Sequence, residues 1–228
     1  MTGSPPPPGG RGLRTAAASL VSRIRFRRIG GSSAYWEARY AAGGASGAGS
    51  VGDLAAFKAA HLDRIVAEHG IGSVIEFGCG DGDQLALASY PRYLGLDVSP
   101  TVIERCLARF AGDPTRSFAV LDPARFHDPA GFLRAELTLS LDVLYHLVED
   151  DVRDRHLRQL FGAATRFVAI YSSDEELPDP AAHVRHRPFS PWVAAHAPQW
   201  RLVERIANPH RGHDPAAVAD LHLFARVG

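Results

Sequence analysis

The stretch that most constrains this chain is Ser73-Val74-Ile75-Glu76-Phe77-Gly78-Cys79-Gly80-Asp81-Gly82. A short apolar run ends on an acid and passes into glycine at every second position. The run predicts a buried strand, and the Gly-x-Gly-x-Gly predicts a tight turn leading toward a helix. Glycine suits such a turn because the missing Cβ lets the chain bend sharply and lets a ligand lie against bare peptide. A dinucleotide fingerprint would need a third glycine one place later, and amides aimed at a pyrophosphate. Here position 83 is Asp, and Glu76, Asp81 and Asp83 surround the turn. Three carboxylates repel phosphates and suit a cation.

Three further apolar runs follow, each ending on an acid. Tyr93-Leu94-Gly95-Leu96-Asp97-Val98-Ser99 is a second strand, after a gap that leaves room for one short helix over residues 83–89. A carboxylate at such a strand end can accept hydrogen bonds from both hydroxyls of a ribose. Ser117-Phe118-Ala119-Val120-Leu121-Asp122 is a third strand. Leu137-Thr138-Leu139-Ser140-Leu141-Asp142 is a fourth, and it runs into Val143-Leu144-Tyr145-His146-Leu147. Glycine turn and acidic strand ends, in this order, resemble class I S-adenosylmethionine (SAM)-dependent methyltransferases of the small-molecule type. The resemblance covers residues 35–228. It implies an α/β, Rossmann-like, doubly wound sheet of seven strands, mostly parallel with an antiparallel C-terminal edge strand. It also implies SAM as cofactor, held by Glu76, Gly78, Cys79, Gly80, Asp97, Val98 and Leu141, with Asp122 at the adenine amino group. The family's Asn/Asp-Pro-Pro-Tyr/Phe segment is missing after the fourth strand, where Ser140-Leu141-Asp142-Val143 stands. That argues against a nucleic-acid base as acceptor.

At 228 residues, with 46% hydrophobic and 22% charged side chains, the chain suits one soluble domain with a substantial core. Zero formal net charge excludes a global field that recruits nucleic acid. No apolar run approaches the roughly 20 residues that span a bilayer. Cys79 and Cys106 show no metal or secreted-framework spacing, so both are expected reduced, in the cytoplasm.

Residues 1–30 read as a separate, disordered basic arm, and residues 31–228 as the domain. Pro5 to Pro8 break structure, and six arginines (11, 14, 23, 25, 27 and 28) precede the first acid, Glu37. Leu13, Ala17, Leu20 and Ile24 suit one face of a short amphipathic helix. A peripheral contact with an anionic membrane, an import signal, and a basic tail with no specific task are the readings open to it.

Residues 35–52 join an aromatic cluster, Tyr35-Trp36-x-x-x-Tyr40, to a loop of Gly, Ala and Ser. The pattern resembles the segment that caps SAM in some small methyltransferases, so Tyr35 and Tyr40 are expected against the cofactor. A ring face attracts a sulfonium, and a flexible loop can close over the site. The alternative is aromatics packed on the sheet, followed by a linker.

Periodicity predicts a helix over residues 54–70 stopped by Gly70, one opened by Ser99-Pro100, and one over residues 148–164. Strands are expected at residues 166–171, 200–206 and 221–227. His146, at the start of the helix after strand four, is the candidate base for a hydroxyl acceptor. Asp142 and Tyr145 are alternates, and Asp142 also reads as a helix cap. Tyr145, Arg185 and His186 are expected to contact substrate. The His183-x-x-His186 and His210-x-x-His213-Asp214 spacings fix no third ligand, so no metal is assigned. The function implied is methyl transfer to a small-molecule hydroxyl, of a sugar or natural product. A non-catalytic SAM-binding partner subunit and an NAD(P)-dependent oxidoreductase are the alternatives.

Overall fold

The computed structural model describes Phe26 and residues 30–178, 181–214 and 216–227. The arginine-rich arm, Phe26 and Gly30 aside, lies outside the described residues. The described helices are α1 (Gly31–Ala41), α2 (Gly52–His69), α3 (Pro100–Arg109), α4 (Asp150–Ala163) and α5 (Ser190–His196). The strands are β1 (Val74–Phe77), β2 (Tyr93–Asp97), β3 (Arg116–Val120), β4 (Ala135–Leu141), β5 (Ala164–Ser172), β6 (Trp200–Ile206) and β7 (Asp220–Arg226).

All seven strands form one sheet in the order β3-β2-β1-β4-β5-β7-β6. The first five pair in parallel, and β7 runs antiparallel to both β5 and β6. The antiparallel C-terminal strand therefore sits one place in, and β6 forms the edge. Chain order reverses between β1 and β4. Loops leaving those two strands diverge there, opening a crevice at their carboxyl ends.

Strand alternation divides the core into two apolar layers. Leu137, Leu139 and Leu141 of β4 face Leu62, Ile65 and Val66 of α2, with Ala169 and Tyr171 of β5 alongside. Ile75 and Phe77 of β1 and Val168 and Ile170 of β5 face Leu157, Leu160 and Phe161 of α4. The polar β4 residues between the leucines find partners on that second side. Thr138 Oγ1 donates to the Leu160 carbonyl at 2.9 Å, and Ser140 Oγ lies 2.8 Å from His156 Nε2.

The helix expected over residues 83–89 is only a 3₁₀ turn, Leu85–Leu87. Ala88 is already extended, and Pro91 disfavours helix at the residue before it. Likewise His146 lies in a single 3₁₀ turn, Leu144–His146, and the long helix begins four residues later at Asp150. Gly70 does end α2, in the left-handed conformation with φ 59°. Ser99 caps α3, its hydroxyl accepting from the Val102 amide.

Leu160 is fully buried between α4 and the sheet. Leu160→Ala is expected to lower unfolding stability by about 2–5 kcal/mol in chemical denaturation. A loss well under that range would mean α4 does not pack as described.

Candidate functional site

The turn after β1 needs its glycines for two close approaches. Gly78 has φ 86°, and a Cβ there would lie 2.5 Å from Val143 Cγ2, which follows β4. Gly80 has φ 57°, and its Cβ would lie 2.3 Å from Ser46 Oγ. The turn's amides are engaged within the protein. Gly78 and Cys79 donate to the Leu96 carbonyl at 2.7 and 3.1 Å. Gly80 donates to Asp97 Oδ2 at 3.1 Å, and Asp81 donates to Ser46 Oγ at 3.0 Å.

Asp97 ends β2 with its carboxylate buried against this turn, and Ser99 N–H supplies a second donor at 3.0 Å. Burial raises its pKa to about 6, opposed by the Ser99 and Gly80 amides. Glu76 is also buried, and accepts from Tyr93 Oη at 2.6 Å. Burial raises its pKa to about 7, against the Tyr93 hydrogen bond and the Lys58 charge.

The opposite wall is the end of β4. Asp142 has φ 60°, the only positive value for a non-glycine among the described residues. This uncommon left-handed conformation turns its carboxylate into the crevice. There Lys58 Nζ donates to Oδ2 at 2.5 Å and Tyr145 Oη to Oδ1 at 2.6 Å. Lys58 is 1% exposed, and its ammonium lies 5.0 Å from the Tyr171 ring centroid. Asp142 is therefore no helix cap. Before α4 stands Glu149, whose carboxylate accepts instead from the Ser32 amide and hydroxyl at 2.9 and 2.5 Å, tying α1 down.

His146 Nδ1 lies 3.1 Å from the His183 carbonyl. A carbonyl only accepts, so this contact assigns the Nδ1–H tautomer and leaves Nε2 with the lone pair. Burial depresses the imidazole pKa to about 4, so the ring is neutral at physiological pH. The Trp36 ring meets it edge-on, with centroids 4.9 Å apart.

α1 and the loop behind it cover the crevice. Glu37 accepts from the Ser99 and Thr101 hydroxyls, which hold its carboxyl below the usual range and dock α1 on the start of α3. Tyr40 Oη lies 3.0 Å from Ser46 Oγ, and Ser46 N–H donates to Asp81 Oδ2 at 2.7 Å. Arg105 donates to the carbonyls of Gly44 and Tyr40. The Gly/Ala/Ser segment is thus latched to the glycine turn.

One cavity gathers Tyr40, Glu76, Gly78, Cys79, Gly80, Asp97, Val98, Leu141 and His146. A second, beneath the 46–50 loop, is lined by Tyr145, His183 and His186 and shares Trp36, Asp142 and His146 with the first. Tyr35 lines neither, because its ring stacks on His183 at 4.4 Å and 15°. Asp122 is exposed. β3 ends at Val120, and the Asp122 carboxylate accepts from the Ala124 amide at 2.9 Å beside Arg125, while Leu121 and Pro123 line the cavity. Arg185 also lies off the cavities, donating to the Val148 carbonyl and pairing with Asp150 at 3.1 Å. His186 is buried, with Nδ1 2.8 Å from Ser173 Oγ. Among the described residues no three His, Cys, Asp or Glu side chains cluster as metal ligands would, and no helix is long and apolar enough to cross a membrane.

Sequence reasoning missed Lys58, Ser46 and His156 as cavity residues. Lys58 left a signal, a lone charge four residues after Leu54 and four before Leu62, inside the apolar stripe of α2.

No protein-family model matches the chain, and no curated protein does. Solved structures do. The N-methyltransferase NodS from Bradyrhizobium japonicum, in complex with S-adenosyl-L-homocysteine, superposes with a TM-score of 0.58 at 17% identity, over 75% of this chain and 85% of that one. Magnesium protoporphyrin IX methyltransferase from Synechocystis, with bound SAM, gives 0.59 at 15% identity over 91% and 96%. The methyltransferase domain of bacterial CtHen1-C gives 0.62 at 16% identity over 77% and 100%.

Removing Lys58 would leave the partly buried Asp142 carboxylate without its cation. Lys58→Met is expected to destabilise the protein by about 3–5 kcal/mol. Adding Asp142→Asn, a residue that tolerates φ 60°, should recover most of that loss in denaturant titrations. Additive losses would show that the two charges do not interact.

With the reversed strand order, the glycine turn and the buried Asp97 at the end of β2 in place, the fold of this chain is that of the class I SAM-dependent methyltransferases.

Proposed function

We propose that the chain binds SAM in the first cavity and transfers its methyl group to a small molecule held in the second. Asp97 carries this reading, as a buried carboxylate at the end of β2 beside the glycine turn. Its two backbone donors leave acceptor capacity for a pair of ribose hydroxyls. Glu76, Asp97 and Asp142 put three carboxylates in the cavity against the single ammonium of Lys58. That balance suits a sulfonium and an ammonium and opposes a pyrophosphate. The four turn amides that a phosphate would need are occupied within the protein, which disfavours the NAD(P) alternative. The cofactors named for the NodS and Synechocystis structures agree with this reading.

In the proposal, Leu96, Val98 and Leu121 offer the adenine an apolar slot, and Asp97 holds the ribose. Asp142 and Lys58 present one negative and one positive group to the amino-acid end. Trp36, Tyr40 and the 43–50 loop cap the site and exclude water. When bound, SAM supplies a methyl carbon made electrophilic by the sulfonium. The chain's own part is to hold an acceptor oxygen in line with that carbon. His146, shared by both cavities, offers its Nε2 lone pair to the acceptor hydroxyl. A pKa near 4 makes the imidazole a weak proton sink, so its role is to orient the hydroxyl more than to deprotonate it. Tyr145 and His186 line the acceptor side, with a sugar or natural-product hydroxyl as the acceptor proposed. Arg185, tied to Asp150, is left at the rim. Both cysteines are free and buried, in keeping with a cytoplasmic setting.

Calorimetry with SAM, S-adenosylhomocysteine and NAD(P)H tests the cofactor. Binding of the first two alone is expected, and binding of the nicotinamide alone would overturn the proposal. Because Asp97 accepts only fully when ionised, SAM affinity should weaken as pH falls through about 6. Asp97→Ala should weaken it at pH 8 by about 1.5–3 kcal/mol, on the order of ten- to a hundredfold. Affinity unchanged in that variant would remove Asp97 from the site.

His146→Ala should lower turnover while leaving SAM affinity nearly unchanged. Equal turnover would exclude His146 from acceptor binding. SAM binding with no S-adenosylhomocysteine formed from any sugar or phenol acceptor would favour a non-catalytic partner subunit.

A further inference from the structure

The second cavity, of about 250 Å³, carries one charged group that the methyl-transfer reading does not use, Arg39 in the last turn of α1. We propose that the acceptor is a flat phenolic carboxylic acid, with its carboxylate on Arg39 and its hydroxyl at His146. The proposal rests on the methyl-transfer reading and narrows its natural-product hydroxyl to one class.

Arg39 is held in place without being neutralised. Its Nε donates to the Ala45 carbonyl at 2.7 Å, and its guanidinium carbon lies over the Trp36 ring, 5.7 Å from the centroid. The terminal nitrogens have no partner among the described residues. Asp142, the one acid on the cavity wall, has both oxygens taken by Lys58 and Tyr145, and Lys58 already balances its charge. Burial lowers the pKa of His146 and His183, and the Arg39 charge adds to the effect at His183, so neither imidazole brings a cation. The wall therefore presents one uncompensated guanidinium. Its forked donors match the planar oxygens of a carboxylate. A single positive charge balances a carboxylate and leaves a phosphate dianion half compensated.

The other walls are rings. His146 and His183 lie nearly parallel, with planes 11° apart and centroids 5.6 Å apart. Tyr145 and Trp36 meet His146 edge-on, with centroids at 4.6 and 4.9 Å. Such walls suit a flat aromatic body. Trp36 touches both Arg39 and His146, so one ring with its carboxylate and hydroxyl at opposite positions spans the two. The chemistry agrees with the geometry. An imidazole with a pKa of about 4 is far too weak a base for an aliphatic alcohol, whereas a phenol ionises at about pH 10, as tyrosine does. In the transfer the phenolic oxygen bonds the methyl carbon as the carbon–sulfur bond breaks. The electron pair stays on sulfur in S-adenosylhomocysteine, and the phenolic proton is released to solvent.

The test uses the full chain and two probes of one shape, 4-hydroxybenzoate and its neutral amide, 4-hydroxybenzamide. Calorimetry, with and without S-adenosylhomocysteine, should show the acid binding at least about tenfold more tightly than the amide. In Arg39→Gln that ratio should fall to about one, and Arg39→Lys should keep part of it. Loosening of the cap alone would weaken both probes together and leave the ratio standing. With SAM present, S-adenosylhomocysteine should form from the acid, and Arg39→Gln should raise the KM of the acid relative to that of the amide by about tenfold. Equal binding of acid and amide, or binding of neither, would overturn the proposal, as would a ratio that survives Arg39→Gln. Acid-selective binding lost in Arg39→Gln upholds the anion site even where no S-adenosylhomocysteine forms, an outcome that overturns the methyl-transfer reading instead.

Discussion

The site depends on one topological constraint, the reversal of strand order between β1 and β4. The chain leaving β1 and the chain leaving β4 must diverge, because their next partners lie on opposite sides. The gap between them cannot be closed by sheet hydrogen bonds, and it opens at the carboxyl ends. The glycine turn fills one flank and the Asp142–His146 segment the other. Gly78 and Val143 then approach so closely that any larger residue at 78 would drive the flanks apart.

Across that gap the protein buries charge, which is unfavourable unless each group is compensated. Asp97 is compensated by backbone amides, Glu76 by a phenol, and Asp142 by Lys58 and Tyr145. Compensation is partial for the first two, and burial leaves their pKa values raised to about 6 and 7. Cationic or hydroxyl-bearing ligand groups would relieve the same penalty. Perturbed carboxylates lining a cleft are a signature of a binding site for this physical reason. His146 and His156 carry the opposite perturbation, since burial keeps an imidazole neutral.

The cover is built from the same economy of contacts. Glu37 sits at the start of α3, where the helix dipole and two hydroxyls favour a carboxylate. Ser46 and Asp81 exchange hydrogen bonds between loop and turn. These polar contacts join α1 and its loop to the start of α3 and to the glycine turn.

Much of the architecture was legible in the chain because it rests on local periodicity and turn chemistry. Apolar runs marked the strands, Gly70 and Ser99-Pro100 marked helix ends, and the Gly-x-Gly-x-Gly turn with Asp97 located the cavity. Asp122 shows where that reading stops. Its strand ends two residues before it, at Val120, and a local amide captures the carboxylate. Tertiary structure alone decided that β7 would insert between β5 and β6, that Lys58 would cross from α2 to Asp142, and that Ser46 would meet Asp81. Periodicity reports which face of an element is apolar. It carries no information on which distant element that face will meet, and each of these contacts joins residues far apart in the chain.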